Sequence, residues 1–155
     1  MTAAMAKRGD TPMTLAFEAA EQAGWLGEVP VGAVLLSADG AVIATSGNRV
    51  EADGDPTAHA EMLVLRAGAA ALGRKQLDDC DLYVTLEPCP MCAAAIALAR
   101  IRRLYFGAYD PKSGGVEHGP RIFRQPTCHH RPEVYGGIDE RRAGALLRAF
   151  FRERR

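Results

Sequence analysis

Two short segments hold the residues whose types and spacing could do chemistry: His59-Ala60-Glu61 and Pro88-Cys89-Pro90-Met91-Cys92. One imidazole and two thiolates, from His59, Cys89 and Cys92, offer three ligands to a zinc ion and leave the fourth tetrahedral position for water. Thiolate together with imidazole favours zinc over harder ions such as magnesium. Glu61 lies two residues from His59 and reads as a proton shuttle for that water, not as a ligand. The metal would bring the pKa of the water toward neutrality. Glu61 would take its proton, pass one to a ring nitrogen and later protonate a departing amine. The toolkit is that of hydrolytic deamination.

Each half alone is weak. A lone C-x-x-C is more often structural or redox-active, and H-x-E arises by chance. Jointly, at two helix starts, they form H-x-E…P-C-x-x-C, the signature of zinc-dependent nucleobase deaminases. A closed structural zinc site would need a fourth strong ligand, for which Cys80, Cys128, His118, His129 and His130 are the available residues. Cys80 sits among Asp78, Asp79 and Asp81 and reads as a plain thiol. Cys128-His129-His130 falls in an irregular, basic stretch, where RNA contact or loop packing is the favoured reading.

The elements that must position these residues can be read from caps and periodicity. Thr11-Pro12 opens a helix to about Gly24, and Asp55-Pro56 repeats that start for a helix to about Leu72. His59 and Glu61 then lie near the first turn of the second helix. Positions i and i+2 point apart by about 200°, so both serve one metal only if it sits off the helix end. Pro88 to Arg100 reads as a mostly buried helix whose positive N-terminal end favours thiolate over thiol. Strands are expected at Val31–Leu36, Ala41–Thr45, Leu82–Leu86, Arg103–Ala108 and Val134-Tyr135, the first two joined by a turn at Ala38-Asp39-Gly40. Residues 110–132 show no period and read as loop with one helical turn. Ala143, Leu146, Leu147, Phe150 and Phe151 mark the apolar stripe of a last helix, with Asp139 as its cap. Strands alternating with helices imply an α/β fold of three α/β/α layers. With no repeat and no linker, residues 1–155 read as a single domain.

Apolar residues at 48% and charged residues at 25% place the chain among soluble globular proteins. Met1 to Asp10 lacks the apolar run of a signal peptide, and no stretch reaches the ~20 apolar residues of a membrane span. Two of the four cysteines sit in a metal-type C-x-x-C, so the expected location is cytoplasmic and reducing. The net charge of zero hides a polarity: residues 1–99 carry 6 Lys/Arg against 13 Asp/Glu, and residues 100–155 carry 13 against 6. Such a basic half could hold phosphates, or could be a solvated, Arg-rich terminal helix.

Longer strings add a resemblance. Glu28-Val-Pro-Val-Gly-Ala-Val-Leu35, Asn48-Arg49, Asp55-Pro-Thr-Ala-His-Ala-Glu61, Thr85-Leu-Glu-Pro-Cys-Pro-Met-Cys92, Phe106-Gly-Ala-Tyr-Asp-Pro-Lys112 and Phe150-Phe151-Arg152 resemble the blocks of the cytidine/deoxycytidylate deaminase superfamily, and within it of the bacterial tRNA adenosine deaminases. The resemblance covers nearly the whole chain. It implies a cytidine-deaminase-like fold with a mixed five-stranded sheet, one zinc ion per subunit and a homodimer. It also implies deamination of adenosine to inosine at the wobble position of a tRNA anticodon, a loop already single-stranded, where unstacking a base is cheap. By the same match His59, Cys89 and Cys92 are zinc ligands and Glu61 is the catalytic shuttle. Asn48 holds the flipped nucleoside, Ala60 supplies a backbone contact, Val29 lines the base pocket, and Asp110 and Lys112 touch nucleotides near the target. Without the resemblance, Asn48 reads as a turn residue and Asp110-Pro111 as a turn start. Residues 114–128 depart from the better-known members. The competing readings are a deaminase of a free base or nucleotide, guanine or a cytosine compound, and a non-catalytic zinc-stabilised RNA-binding module.

Overall fold

Strand β1 (Gly32–Leu36) is buried along its whole length because helices cover both faces of its sheet. Its side chains alternate between two cores: Ala33 and Leu35 enter one, Val34 and Leu36 the other. A computed structural model describes residues 11–154. The expectation for Met1–Asp10 lies outside the described residues.

The remaining strands are β2 (Val42–Gly47), β3 (Asp81–Leu86), β4 (Arg103–Ala108) and β5 (Glu133–Tyr135). They stand in the order β2-β1-β3-β4-β5. β1 is antiparallel to both neighbours, while β3, β4 and β5 run parallel, giving a mixed five-stranded sheet. Helices α1 (Pro12–Trp25) and α5 (Glu140–Glu153) lie on one face. Helices α3 (Ala60–Leu72) and α4 (Pro90–Leu98) lie on the other, where Val64, Leu65, Ile96 and Ala97 meet Leu82, Leu104 and Phe106. The architecture is the three-layer α/β/α expected. Among the described residues no helix is long and apolar enough to cross a membrane.

Local chemistry sets most boundaries. Thr11 caps α1 by accepting from the Thr14 N–H at 3.1 Å, with Pro12 at the first helical position. The β1–β2 turn is closed by Asp39, which accepts from the Ala41 N–H at 3.3 Å and from the Ser37 hydroxyl. One start differs from expectation. Asp55-Pro56 does not open α3; the Asp55 carboxylate accepts from the backbone N–H and hydroxyl of Thr57, both at 2.8 Å, and closes a turn instead. The helix begins five residues after Asp55, with His59 at its N-cap position. A short helix, α2 (Val50–Asp53), precedes that turn; it has no periodic signal, and the buried Glu28 holds it from outside by accepting from the N–H groups of Glu51 and Ala52 at 3.0 and 2.9 Å. Residues 110–132 contain one 3-10 turn, Ile122–Arg124. Asp139 stands at the N-cap position of α5 with φ +52°, but its side chain makes no capping bond.

Helix α1 approaches the sheet so closely that side chains are excluded at the contact. A Cβ on Gly32 would collide with the Ala16 carbonyl oxygen and the Ala20 nitrogen; one on Gly47 would lie 2.7 Å from both the Ala19 oxygen and the Ala23 Cβ. Three of these are backbone atoms of a helix packed on the sheet and the fourth is a Cβ fixed directly to that backbone, so none can swing away. The antiparallel β1 then brings its first residue beside the end of β3, where the Gly32 N–H donates to the Thr85 hydroxyl at 3.2 Å. The end of β2 follows, because the Asn48 N–H donates to the Val31 carbonyl at 3.0 Å. One end of the sheet thus gathers the ends of β2, β3 and β4, and α3 and α4 begin there. We expect Gly32→Ala to destabilise the protein by about 2–4 kcal/mol in chemical denaturation, an overpacking cost with rigid neighbours; a change below about 0.5 kcal/mol would show that α1 is free to move off the sheet.

Candidate metal centre and active site

His59 and Cys89 occupy the same position in their respective helices, the N-cap, each with extended backbone (φ −74°, ψ 150° and φ −69°, ψ 170°). Neither side chain caps its helix. Both turn instead toward one point, joined by Cys92 from the first turn of α4. His59 Nδ1 lies 3.6 Å from Cys89 Sγ and 3.5 Å from Cys92 Sγ, and the three atoms all lie within 4.8 Å of one another. A tetrahedral zinc with ordinary Zn–N and Zn–S bonds sets an N···S edge of about 3.5 Å, so donor type and spacing both fit zinc. Among the described residues this is the only cluster of three His, Cys, Asp or Glu side chains with such spacing. None of the other candidate ligands, His129 included, joins the cluster, and four of them are engaged elsewhere. Cys80 is buried beside Asp79, the Cys128 thiol donates to the His130 carbonyl, His130 Nε2 donates to the Ile101 carbonyl at 2.7 Å, and His118 Nδ1 lies 2.8 Å from Glu87. The centre therefore has three protein ligands.

The electrostatics of the cluster suit a cation. The neighbouring Cys92, outweighing burial, and then His59 hold Cys89 down to about 4, while Cys89 and burial push Cys92 above the ordinary thiol range. The Cys89 contact raises His59, against desolvation. Glu61 is buried at the second residue of α3, beyond His59, and desolvation pushes its carboxyl up to about 6. Glu61 is held close to the cluster without joining it.

A cavity of about 540 Å³ opens over this centre, lined by His59, Glu61 and Cys89 together with Val29, Asn48 and Asp110. Asn48 Oδ1 accepts the N–H of Ala60 at 2.8 Å, satisfying from outside the helix one of the free N–H groups at the start of α3. This contact fixes the amide orientation and leaves Nδ2 for the cavity. Ala60 thus meets Asn48 through its N–H. Lys112 is not in this cavity. It lines an adjoining groove of about 910 Å³, which shares Val29, Leu86, Asp110, Ser113 and Arg154 with the first and adds Arg148, Arg152, Tyr109 and Phe151. Two residues not singled out from the sequence complete the surroundings. Glu28 holds α2 at the cavity wall, and Glu87, two residues before Cys89, is buried beneath the segment that follows β4. Desolvation pushes Glu87 up, yet the Asp110 N–H, the His118 imidazole and the N–H groups of Glu117 and Val116 outweigh it and hold the carboxyl below its usual range. The only sequence signal for either is a carboxylate one or two residues before a proline in a block rich in buried residues.

Two outcomes follow for the metal-free protein. Glu61 is ionised less readily folded than unfolded, so below about pH 4 it costs nothing, and the folded state loses stability as pH rises from the ordinary value of 4.5 through about 6. Glu61→Gln should therefore raise metal-free stability by about 2 kcal/mol at pH 7 and leave it unchanged near pH 4; equal stabilities at pH 7 would mean Glu61 is solvated. Zinc binding near pH 7 should also release at least one proton, that of Cys92, seen by calorimetry in buffers of different ionisation enthalpy. Proton-free binding would contradict a protonated Cys92.

The comparisons with known proteins agree with this geometry. The cytidine and deoxycytidylate deaminase zinc-binding region matches residues 7–108. The tRNA-specific adenosine deaminase of Agrobacterium fabrum is 59% identical over 143 residues, 92% of this chain and 93% of that protein. A structure from work on A-to-I editing by tRNA:A34 deaminases at the wobble position of transfer RNA superposes with a TM-score of 0.86 at 58% identity, covering 88% of this chain and 98% of the other. The guanine deaminase structure from Bacillus subtilis is more distant, with a TM-score of 0.63 at 32% identity over 94% of this chain and 93% of the other. Site geometry, fold and similarity meet in one conclusion: the chain belongs to the cytidine and deoxycytidylate deaminase family and groups there with the tRNA-specific adenosine deaminases.

Proposed function

We propose that this chain is a zinc-dependent hydrolase that converts adenosine to inosine at the wobble position of a tRNA anticodon. The observation that carries the substrate choice is the continuity of the metal-side cavity with the groove of Lys112, Arg148, Arg152 and Arg154. A free base needs only the inner cavity, whereas a polynucleotide needs cations for its phosphates and planar surfaces for neighbouring bases. Tyr109 and Phe151 are 40% and 51% exposed in that groove, an unfavourable position for aromatic rings unless something stacks on them. Other arginines of the basic half are already paired: Arg102 with Asp81, Arg103 with Glu133, Arg124 with Glu117 and Arg142 with Glu21. Arg148, Arg152 and Arg154, at the C-terminal end of the chain's last helix, are the arginines that line the groove.

The roles follow from position. His59, Cys89 and Cys92 hold zinc, which when bound makes a water acidic enough to ionise near neutral pH. Glu61 takes one proton of the attacking water and delivers it to the ring nitrogen beside the reacting carbon; it then takes the remaining hydroxyl proton from the tetrahedral carbon and passes it to the amine as the C–N bond breaks and the carbonyl forms. Water and adenosine become ammonia and inosine. Burial, which raises the Glu61 carboxyl, suits a group that must both accept and donate. Asn48 Nδ2 donates to the flipped base, with Ala60 holding Asn48 in place. Val29 forms a wall, and Asp110 with Lys112 meets the flanking nucleotides.

A second copy of the chain completes the assembly. Helix α4 is apolar all round, but only Cys92, Ala93, Ile96 and Ala97 are buried; Met91, Ala94 and Ala95 are partly uncovered and Leu98 is 79% exposed. A helix apolar on every side is normally covered on every side, and a homodimer through α4 would do so. Two thiols in the metal set suit a reducing, cytoplasmic location.

The test is an anticodon stem-loop with wobble adenosine, run beside guanine, cytosine, cytidine and deoxycytidylate. Inosine in the loop, with no ammonia from the free compounds, is the expected result; ammonia from a free compound alone would overturn the assignment. Glu61→Ala should keep zinc while losing at least about 10³-fold in turnover, and substantial residual activity would remove it from the shuttle role. Leu98→Glu should yield a zinc-loaded monomer in sedimentation analysis, and an unchanged dimer would place the interface elsewhere.

A further inference from the structure

The buried carboxylate of Glu87 gathers donors from a single segment. Its side chain is wholly inaccessible. Oε1 accepts from the Asp110 N–H at 3.1 Å and pairs with His118 Nδ1 at 2.8 Å. Oε2 accepts from the N–H groups of Val116, Glu117 and His118 at 3.2, 3.0 and 3.2 Å. The segment from Asp110 to His118 is thereby wound around one carboxylate. A second tie runs from the Gly115 N–H to the Pro88 carbonyl at 2.8 Å. The approach leaves no room for side chains: a Cβ on Gly114 would strike the Glu87 carboxylate, and one on Gly115 would lie 2.5 Å from the Pro90 nitrogen. Glu87 stands two residues before the metal-side Cys89, and the wound segment carries Asp110 and Ser113 into the cavity and Lys112 into the groove.

We infer that Glu87 and His118 are positioning residues, a bracket that locks the nucleotide-facing segment 110–118 to the turn bearing Cys89. The inference rests on the reading of an RNA substrate for what the segment grips, though the bracket itself is a property of the chain. Five hydrogen bonds converge on one charge, four from backbone that any sequence could supply and one from the side chain of His118. That last bond adds a side-chain hold at the far end of the segment, beside the His118 N–H and on the other carboxylate oxygen. Loosening it should let 116–118 move and should degrade the presentation of Asp110 and Lys112, while the cluster of His59, Glu61, Cys89 and Cys92 stays in place. The signature is a loss of grip on RNA without a loss of chemistry. Asparagine at 118 can present an amide nitrogen where histidine presents Nδ1, so it should restore what alanine removes.

The zinc-loaded full chain and its His118→Ala and His118→Asn variants are compared by three measurements. Affinity is read by anisotropy with a stem-loop carrying inosine at the wobble position, which cannot react. Turnover is read at saturating wobble-adenosine stem-loop, and amide exchange is followed across 110–118. His118→Ala should weaken binding about 10-fold, with saturated turnover within about twofold of the parent, zinc stoichiometric, and exchange accelerated at 116–118. His118→Asn should recover most of the affinity and the protection. Unchanged affinity in His118→Ala, or a loss that asparagine does not repair, would overturn the bracket. If the parent protein itself binds no stem-loop, the RNA reading fails. Exchange then decides the bracket alone, supporting it if protection at 116–118 falls in His118→Ala and is restored in His118→Asn, and overturning it otherwise.

Discussion

Two helix starts that give up their own caps are the constraint on which the rest of the structure depends. The first N–H groups of a helix need acceptors, and the N-cap side chain is the usual supplier. Here the residues at those positions, His59 and Cys89, direct their donors to a common point instead. The arrangement works because the positive ends of α3 and α4 favour thiolate beside them. Asn48 supplies α3 with an acceptor from outside the helix, through its bond to the Ala60 N–H. One side chain therefore caps the helix, orients the amide that faces the cavity and fixes where Glu61 stands.

The sheet exists, in functional terms, to bring those two helix starts together. A parallel pair, β3 and β4, ends at the site, and the antiparallel β1 and β2 return the chain to the same end. Gly32 and Gly47 let α1 press against the opposite face without displacing these strands. Glu28 and Glu87 perform a further task by one device. Each is a buried carboxylate that satisfies backbone N–H groups of an irregular segment, α2 in one case and 110–118 in the other. Burying a carboxylate is costly unless donors surround it, so such a residue fixes its segment to a single geometry. The walls of the cavity are held in this way, by charge turned inward.

How much of this was legible in the sequence follows from the range of each interaction. The His59, Glu61, Cys89 and Cys92 set could be read because metal coordination restricts both residue type and spacing, and the strands could be read because burial on both faces leaves apolar runs such as Ala33–Leu36. The start of α3 lies four residues beyond the one expected because Asp55-Pro56 carries a valid helix signal that a competing local bond, Asp55 to Thr57, redirects into a turn. Helix α2 and the winding of 110–118 were not legible. Their stabilising partners, Glu28 and Glu87, lie more than 20 residues away along the chain, and nothing within either segment announces them. The groove came partway: the charge imbalance between the halves was visible, but which arginines face it depended on which find acidic partners in three dimensions.

The central claim is that two uncapped helix starts hold zinc with three protein ligands and leave one position for the reacting water. X-ray absorption on the zinc-loaded chain tests it directly. The account predicts two sulfur scatterers at about 2.3 Å and two nitrogen or oxygen scatterers at about 2.0–2.1 Å, one of the latter exchangeable with solvent. Three or four sulfurs, or a second imidazole, would mean that a residue such as Cys128 or His129 closes the site, and the catalytic reading would fall with it.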